Sequence, residues 1–180
     1  DDDIAIVAKE CGAEVPFNRP SKLAKDNSMV MDAYLYTIDR LVEMENITID
    51  SFIALLPTAP LRRSYDIDMA VEIFNFNKAD SVVSVTEADV PAEWYRRVDS
   101  DGVLRDYFPD TNTIKNRQEF DKSYIPNGAI YIFRTEKLRK IRQYYLGKTY
   151  PYIMPADRSV DIDEILDFEW AEFLMQKHEF

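Results

Sequence analysis

One cysteine and one histidine are all that this 180-residue chain has for thiol or imidazole chemistry. An internal disulfide is therefore excluded. His178 is third from the end and no base stands beside Cys11 in the sequence, which argues against a nucleophilic thiol. With Ile4, Val7 and Ala8 around it, Cys11 is expected to be a buried structural thiol in a reducing, cytoplasmic setting. No run approaches the ~18 apolar residues that a membrane-spanning helix needs. The start carries neither Met nor a basic stretch followed by an apolar one but Asp1, Asp2 and Asp3, so no targeting peptide is read there. Beginning inside a helical pattern, the chain is expected to have lost residues ahead of Asp1. An excess of positive charge is also missing. Lys and Arg total 22 against 33 Asp and Glu, a formal charge of −11, which repels nucleic acid and anionic membranes. A small anionic substrate would then need local cations or a metal.

What is present suits one globular domain over residues 1–180, since 46% hydrophobic residues can build a single core. Ile4, Val7, Ala8 and Cys11 mark a short helix stopped by Gly12, and Ala13 to Phe17 reads as a brief strand. Met31, Tyr34, Leu35, Ile38, Leu41 and Val42 give a long helix over 28–45, with Asp26, Asn27 and Ser28 as candidate caps. The apolar run Phe52-Ile53-Ala54-Leu55-Leu56, ended by Pro57, predicts a central strand covered on both faces. A helix through Ile67, Ala70, Val71 and Phe74 follows, then a strand at Ser81 to Val85. Pro91 to Ser123 reads as hairpin and loop around Asp99-Ser100-Asp101-Gly102. Ala129 to Phe133 is another strand, Thr135 caps a helix to about Tyr145, and Tyr152 to Met154 is a short strand. Asp163 then caps a last helix with Ile165, Phe168, Ala171, Phe173, Leu174 and Met175 as its apolar positions. Such alternation predicts an α/β fold with a mostly parallel sheet and helices on both faces.

The segment most suggestive of chemistry is Arg158-Ser159-Val160-Asp161-Ile162-Asp163. In extended backbone Asp161 and Asp163 project to one side, and two carboxylates can hold Mg²⁺ together with substrate phosphates. On spacing alone a plain helix cap at Asp163 and a solvated Asp161 fit slightly better, because short Asp-x-Asp matches arise easily by chance. Asn127-Gly128 before an apolar strand could meet a sugar or make an ordinary turn. Leu56-Pro57-Thr58-Ala59-Pro60-Leu61-Arg62 follows a strand's C-terminal end, where open α/β sheets bind ligands, and could equally be a rigid connection. Arg19 and Arg117 have the planar fork suited to phosphates and carboxylates, although single arginines are mostly solvated.

Taken in order, these segments resemble the acylneuraminate cytidylyltransferases, the CMP-sialic acid synthetases, over the whole chain. The likeness is carried by Cys11-Gly12-Ala13-Glu14-Val15 leading to Arg19-Pro20, by Leu56 to Arg62, and by Ala79-Asp80-Ser81-Val82-Val83-Ser84-Val85. Asn127-Gly128-Ala129-Ile130-Tyr131 and Ser159 to Asp163, with Asp167-Phe168 and Ala171-Glu172, complete it. It implies a three-layer αβα Rossmann-like nucleotidyltransferase fold with a dimerisation insertion over roughly 90–123. It also implies a cytoplasmic homodimer that uses CTP and Mg²⁺, transfers CMP to a sialic-type nonulosonic acid and releases pyrophosphate. By that likeness Asp161 and Asp163 are the catalytic metal ligands, Arg19 lies by the nucleotide, Thr58, Asn127 and Gly128 line the substrate site, and Arg117 and Gln118 approach the sugar acid.

Two departures stand out. Many relatives carry glutamine where this chain has Leu56, which leaves N-acetylneuraminic, legionaminic and pseudaminic acid all as candidate substrates. The first strand and the Gly/Arg/Ser/Lys loop that wraps the CTP phosphates in relatives are not found before Asp1. Two other readings compete: an Asp-x-Asp glycosyltransferase, and a non-catalytic domain that presents Trp94-Tyr95 and the loop to Tyr124 to a partner.

Overall fold

The computed structural model describes residues 2–25, 27–108 and 116–178. Its main sheet has the order β1-β5-β2-β6, with β1 at Ser51–Ala54, β2 at Ser81–Glu87, β5 at Tyr124–Arg134 and β6 at Thr149–Ile153. β2 and β6 pair in parallel, while β5 runs antiparallel to both β1 and β2. Three of the four strands therefore point the same way, and the reversed β5 lies between two of them. A hairpin of β3, Arg96–Val98, and β4, Leu104–Asp106, forms a separate two-stranded sheet.

Period-two alternation divides the apolar side chains between two layers. Val82, Ile130 and Ile132 face α3, Ser64–Phe76, and pack with its Ala70 and Phe74. Val83, Val85, Tyr131 and Phe133 face the other way, against Met31 and Leu35 of α2, Val30–Glu45, and Leu138 of α4, Thr135–Ile141. Helices thus cover both faces, as the expected αβα layering requires. The second layer is aromatic: Tyr131 and Phe133 stack at 6.1 Å, and Tyr144 lies 4.9 Å from Tyr131. Burial, with a smaller effect from Tyr144, pushes the Tyr131 hydroxyl up to about 12.

Several local expectations give way to tertiary context. The stretch 13–17 forms no strand, because no strand lies beside it among the described residues to share hydrogen bonds. Among the described residues β1 is an outer strand, not a central one, and Ile53 and Leu55 remain more than a third exposed. Cys11 is exposed, since α1, Asp2–Glu10, buries none of its residues. Gly12, at φ +88°, does end α1: the Ala13 and Gly12 amides donate to the Ala8 and Lys9 carbonyls.

Helix caps also differ from expectation. α2 begins after Met29 with no side-chain cap; Asp26 lies outside the described residues, and the Ser28 hydroxyl accepts from the Lys25 amide instead. Thr135 is the first residue of α4, not its cap. At the start of α5, Ile165–His178, the carboxylate of Asp167 accepts from the Asp163 and Glu164 amides, so Asp167 and not Asp163 serves the helix end. Of the apolar positions expected to bury in α5, only Ala171 and Leu174 do so.

Phe133, fully buried among Phe52, Tyr34 and Tyr144, is the test of the aromatic layer. Phe133→Ala is expected to cost about 3–5 kcal/mol, read as a lower urea unfolding midpoint with little change in slope.

Candidate functional site

β1, β2 and β6 point the same way, so the chain leaves all three at one end of the sheet, while β5 enters there. In open α/β sheets this carboxyl end is where ligands bind. Four segments meet here: Leu55 to Arg63 after β1, the chain beyond Glu87, the first half of β5, and Met154 to Asp163 after β6.

Asn127-Gly128 is not a turn but part of β5. Val83 pairs with Tyr131 and Val85 with Pro126, so β5 carries extra residues at this point, in a bulge. Gly128 sits there at φ +72°, a conformation that glycine adopts without strain. Ser84, opposite the bulge, fills the break in the ladder: its hydroxyl accepts from the Ile130 amide at 2.7 Å and donates to Asn127 Oδ1 at 2.6 Å. Asn127 is 3% exposed. Its amide nitrogen donates to Ser159 Oγ at 2.8 Å and to Met154 Sδ at 3.4 Å, while Oδ1 also accepts from the Ala129 amide at 3.2 Å. The Asn127 side chain is thus committed to protein partners.

Alternation orients the acidic segment. Val160 and Ile162 pack on the small cluster of Leu61, Ala171 and Leu174. Asp161 and Asp163 between and after them are exposed, as a period of two demands. The Ile162 amide donates to the Thr58 carbonyl at 2.8 Å, joining this segment to the loop after β1. Asp161 lies directly over Gly128, and a Cβ added at Gly128 would stand 3.0 Å from Asp161 Oδ2. Thr58, Asn127, Gly128, Asp161 and Asp163 are therefore in one neighbourhood.

A second anchor was not legible in the sequence. Asp66 in the first turn of α3 is fully buried. It accepts from Tyr152 Oη at 2.7 Å, from Arg158 Nη2 at 2.8 Å and Nε at 3.3 Å, and from the Arg63 amide at 2.8 Å. Burial alone would raise its pKa; the hydrogen bonds from Arg158, the Arg63 amide and Tyr152 outweigh it and hold the carboxyl below the usual range. Burial and the bond to Asp66 in turn raise the Tyr152 hydroxyl. Arg158 also covers the Tyr65 ring at 4.9 Å. In the sequence Asp66 looks like any first-turn acid, and no local signal links it to Arg158.

The other predicted residues share no hydrogen bond or ion pair with Gly128, Asp161 or Asp163 among the described residues. Arg62 donates to the Leu56 and Ala59 carbonyls, both at 2.7 Å, and staples its own loop. Arg19 stands exposed before the turn Ser21–Leu23, and no hydrogen bond or ion pair ties it to the other site residues among the described residues. Arg117 and Gln118 are exposed in the turn Arg117–Glu119, where Arg117 donates to the Asp89 carbonyl. Among the described residues there is no cluster of three or more Asp, Glu, His or Cys able to hold a metal. The donor set at Asp161 and Asp163 is a pair of exposed carboxylates, which fits Mg²⁺ when phosphate oxygens complete its shell.

No family model matches the chain. It is similar to a CMP-N,N'-diacetyllegionaminic acid synthase of Legionella pneumophila, 33% identical over 176 residues that cover 96% of this chain and 74% of the relative. An N-acylneuraminate cytidylyltransferase of Escherichia coli is 31% identical over 172 residues, 95% of this chain and 39% of the relative. A pseudaminic acid cytidylyltransferase of Campylobacter jejuni is 28% identical over 177 residues, 97% of this chain and 74% of the relative. Among solved structures, a CMP:2-keto-3-deoxy-manno-octonic acid synthetase complexed with CTP superposes with a TM-score of 0.63. That likeness covers 98% of this chain and 78% of the other at 13% identity, and speaks for the fold.

The contact between Gly128 and Asp161 can be isolated by comparing two alanine variants. Gly128 and Gly102 both have positive φ, but nothing lies within 4 Å of a Cβ at Gly102. Gly102→Ala is expected to cost about 1–2 kcal/mol from backbone strain alone, and Gly128→Ala measurably more in the same denaturation experiment.

Proposed function

The chain belongs to the acylneuraminate cytidylyltransferase family, and from that membership we propose that it activates a nonulosonic acid as its CMP derivative. The anomeric hydroxyl oxygen of the sugar acid forms a bond to the α-phosphorus of CTP. The bond from that phosphorus to the bridging oxygen breaks, pyrophosphate leaves, and the hydroxyl proton passes to solvent or a nearby base. Membership in this family displaces the glycosyltransferase alternative.

The observation that carries the site assignment is the packing of the half-buried Val160 and Ile162 on Leu61, which leaves Asp161 and Asp163 exposed, with Asp161 over Gly128. These two carboxylates would hold Mg²⁺. When bound, the ion supplies positive charge against the triphosphate and the departing pyrophosphate. Gly128, lacking a side chain, leaves Asp161 its place and keeps the floor of the site open. Arg19 serves the nucleotide, Thr58 lines the substrate side, and Arg117 with Gln118 meets the sugar carboxylate. Support for these last roles comes from family likeness and, for Arg19, Arg117 and Gln118, from their exposure.

The hairpin of β3 and β4 and its flanks supply the dimer surface in this proposal. Val98 and Leu104 are 68% and 66% exposed, and Trp94, Tyr95, Tyr107 and Phe108 are exposed around them. An apolar patch of this kind marks an interaction surface. The protein functions as a homodimer joined through residues in the 90–123 stretch.

Two experiments test these proposals on the full-length gene product. Pyrophosphate release from CTP is expected with one of N-acetylneuraminic, legionaminic or pseudaminic acid, and Asp161→Ala or Asp163→Ala should lower it by at least about a hundred-fold. Normal Mg²⁺-dependent turnover in either variant would sink the metal assignment. In sedimentation velocity the wild-type protein should run as a dimer and Leu104→Lys as a monomer; a dimeric Leu104→Lys would move the interface elsewhere.

A further inference from the structure

The segment that ends in the acidic pair is held along its length, while the side chains of the two acids stay exposed. Arg158 is gripped by Asp66, Ser159 by Asn127, Val160 and Ile162 lie on Leu61, and the Ile162 amide is bonded to the Thr58 carbonyl. Arg158 and Ser159 are adjacent, yet their holders come from different elements, α3 and the β5 bulge.

Stability alone does not explain where the first holder stands. A first-turn acid can serve the Arg63 amide from an exposed position, so capping does not require Asp66 to be fully buried. Burying a charged pair gains little over apolar residues of the same volume. What the ion pair does impose is direction: the guanidinium of Arg158 meets Asp66 through both Nε and Nη2, a two-point contact that fixes its orientation. Asn127 likewise uses both ends of its amide: Oδ1 is taken by Ser84 and Ala129, and Nδ2 reaches Ser159 and Met154. The Ser159 hydroxyl passes its own hydrogen to the Pro155 carbonyl at 2.8 Å. Only Val160 separates this pinned dipeptide from Asp161, and Val160 is itself packed.

We propose that Asp66 and Asn127 are positioning residues, which hold the dipeptide Arg158-Ser159 and thereby set where the carboxylates of Asp161 and Asp163 stand. This rests on the assignment of those carboxylates as the Mg²⁺ ligands. Groups of this kind tune a metal site through its ligands and are commonly worth 10–100-fold in metal affinity. Asn127 on this account acts on the sugar site only through the backbone it holds.

The test measures Mg²⁺ dependence in the full-length protein for Asp66→Asn, Ser159→Ala and Asp161→Ala. Pyrophosphate release is followed against Mg²⁺ at saturating CTP and sugar, and Mn²⁺ is titrated calorimetrically with CTP present and no sugar. Asp66→Asn and Ser159→Ala are expected to raise the half-saturating metal concentration about 10–100-fold in both measurements, with kcat near wild type once metal saturates. Ser159→Thr, which restores the hydroxyl, should return the wild-type value. Asp161→Ala should lose turnover at every Mg²⁺ concentration. Unchanged metal dependence in Ser159→Ala, with a wild-type near-ultraviolet circular dichroism spectrum, overturns the proposal. Ser159 is only half-buried, so this variant decides the matter even where Asp66→Asn does not fold. Wild-type metal dependence in Asp161→Ala would instead remove the metal assignment, and the positioning roles would fall with it.

Discussion

The bulge in β5 opposite Ser84 is the constraint on which the rest of the site depends. A regular antiparallel ladder would run Asn127 and Gly128 past β2 with ordinary side-chain alternation. The inserted residues break that ladder, and the break must be satisfied because backbone groups buried without partners are costly. Ser84 supplies the missing acceptor to Ile130, and its own hydrogen goes to Asn127. Asn127 is then drawn into the interior, where its remaining donor reaches Ser159 on the strand-to-helix segment after β6. A local irregularity in one strand is thereby converted into a fixed position for a segment 32 residues away.

The reversed direction of β5 places that bulge usefully. Running against β1 and β2, it brings its first half to the end of the sheet at which the other three strands finish. Had β5 run with its neighbours, Asn127 and Gly128 would lie at the opposite end from the Thr58 loop and the acidic pair. One antiparallel strand inside an otherwise co-directional sheet thus gathers four segments without any long excursion of the chain.

Charge supports the proposed divalent cation. The chain carries a formal −11, and several of its cations near the sheet are already committed: Arg62 to carbonyls, Arg158 to Asp66, Arg139 to Asp39, and Arg142 to Asp32. A triphosphate approaching such a surface meets repulsion that scattered arginines do not offset. Two exposed carboxylates with no ion pair among the described residues suit a divalent ion, which changes the local sign of the field.

Sequence patterns settled those features that depend on neighbours close in the chain. The period of 3.6 marked α2 and α3, β-branched runs marked β2 and β5, Gly12 marked the end of α1, and the alternation Val160-Asp161-Ile162-Asp163 carried its own orientation, since apolar and charged side chains cannot share a face there. Motif order was enough to reach the family. Tertiary structure alone decided what depends on distant partners. Among the described residues it made β1 an outer strand and left 13–17 without strand structure, because a strand is defined by its neighbour. It turned an Asn-Gly turn signal into a bulge, because register with β2 demanded it. It joined Asp66 to Arg158 across 92 residues and Ser84 to Asn127 across 43. Hydrogen bonds over such separations leave no periodic trace in the sequence; they exist only once the sheet has brought its strands into register.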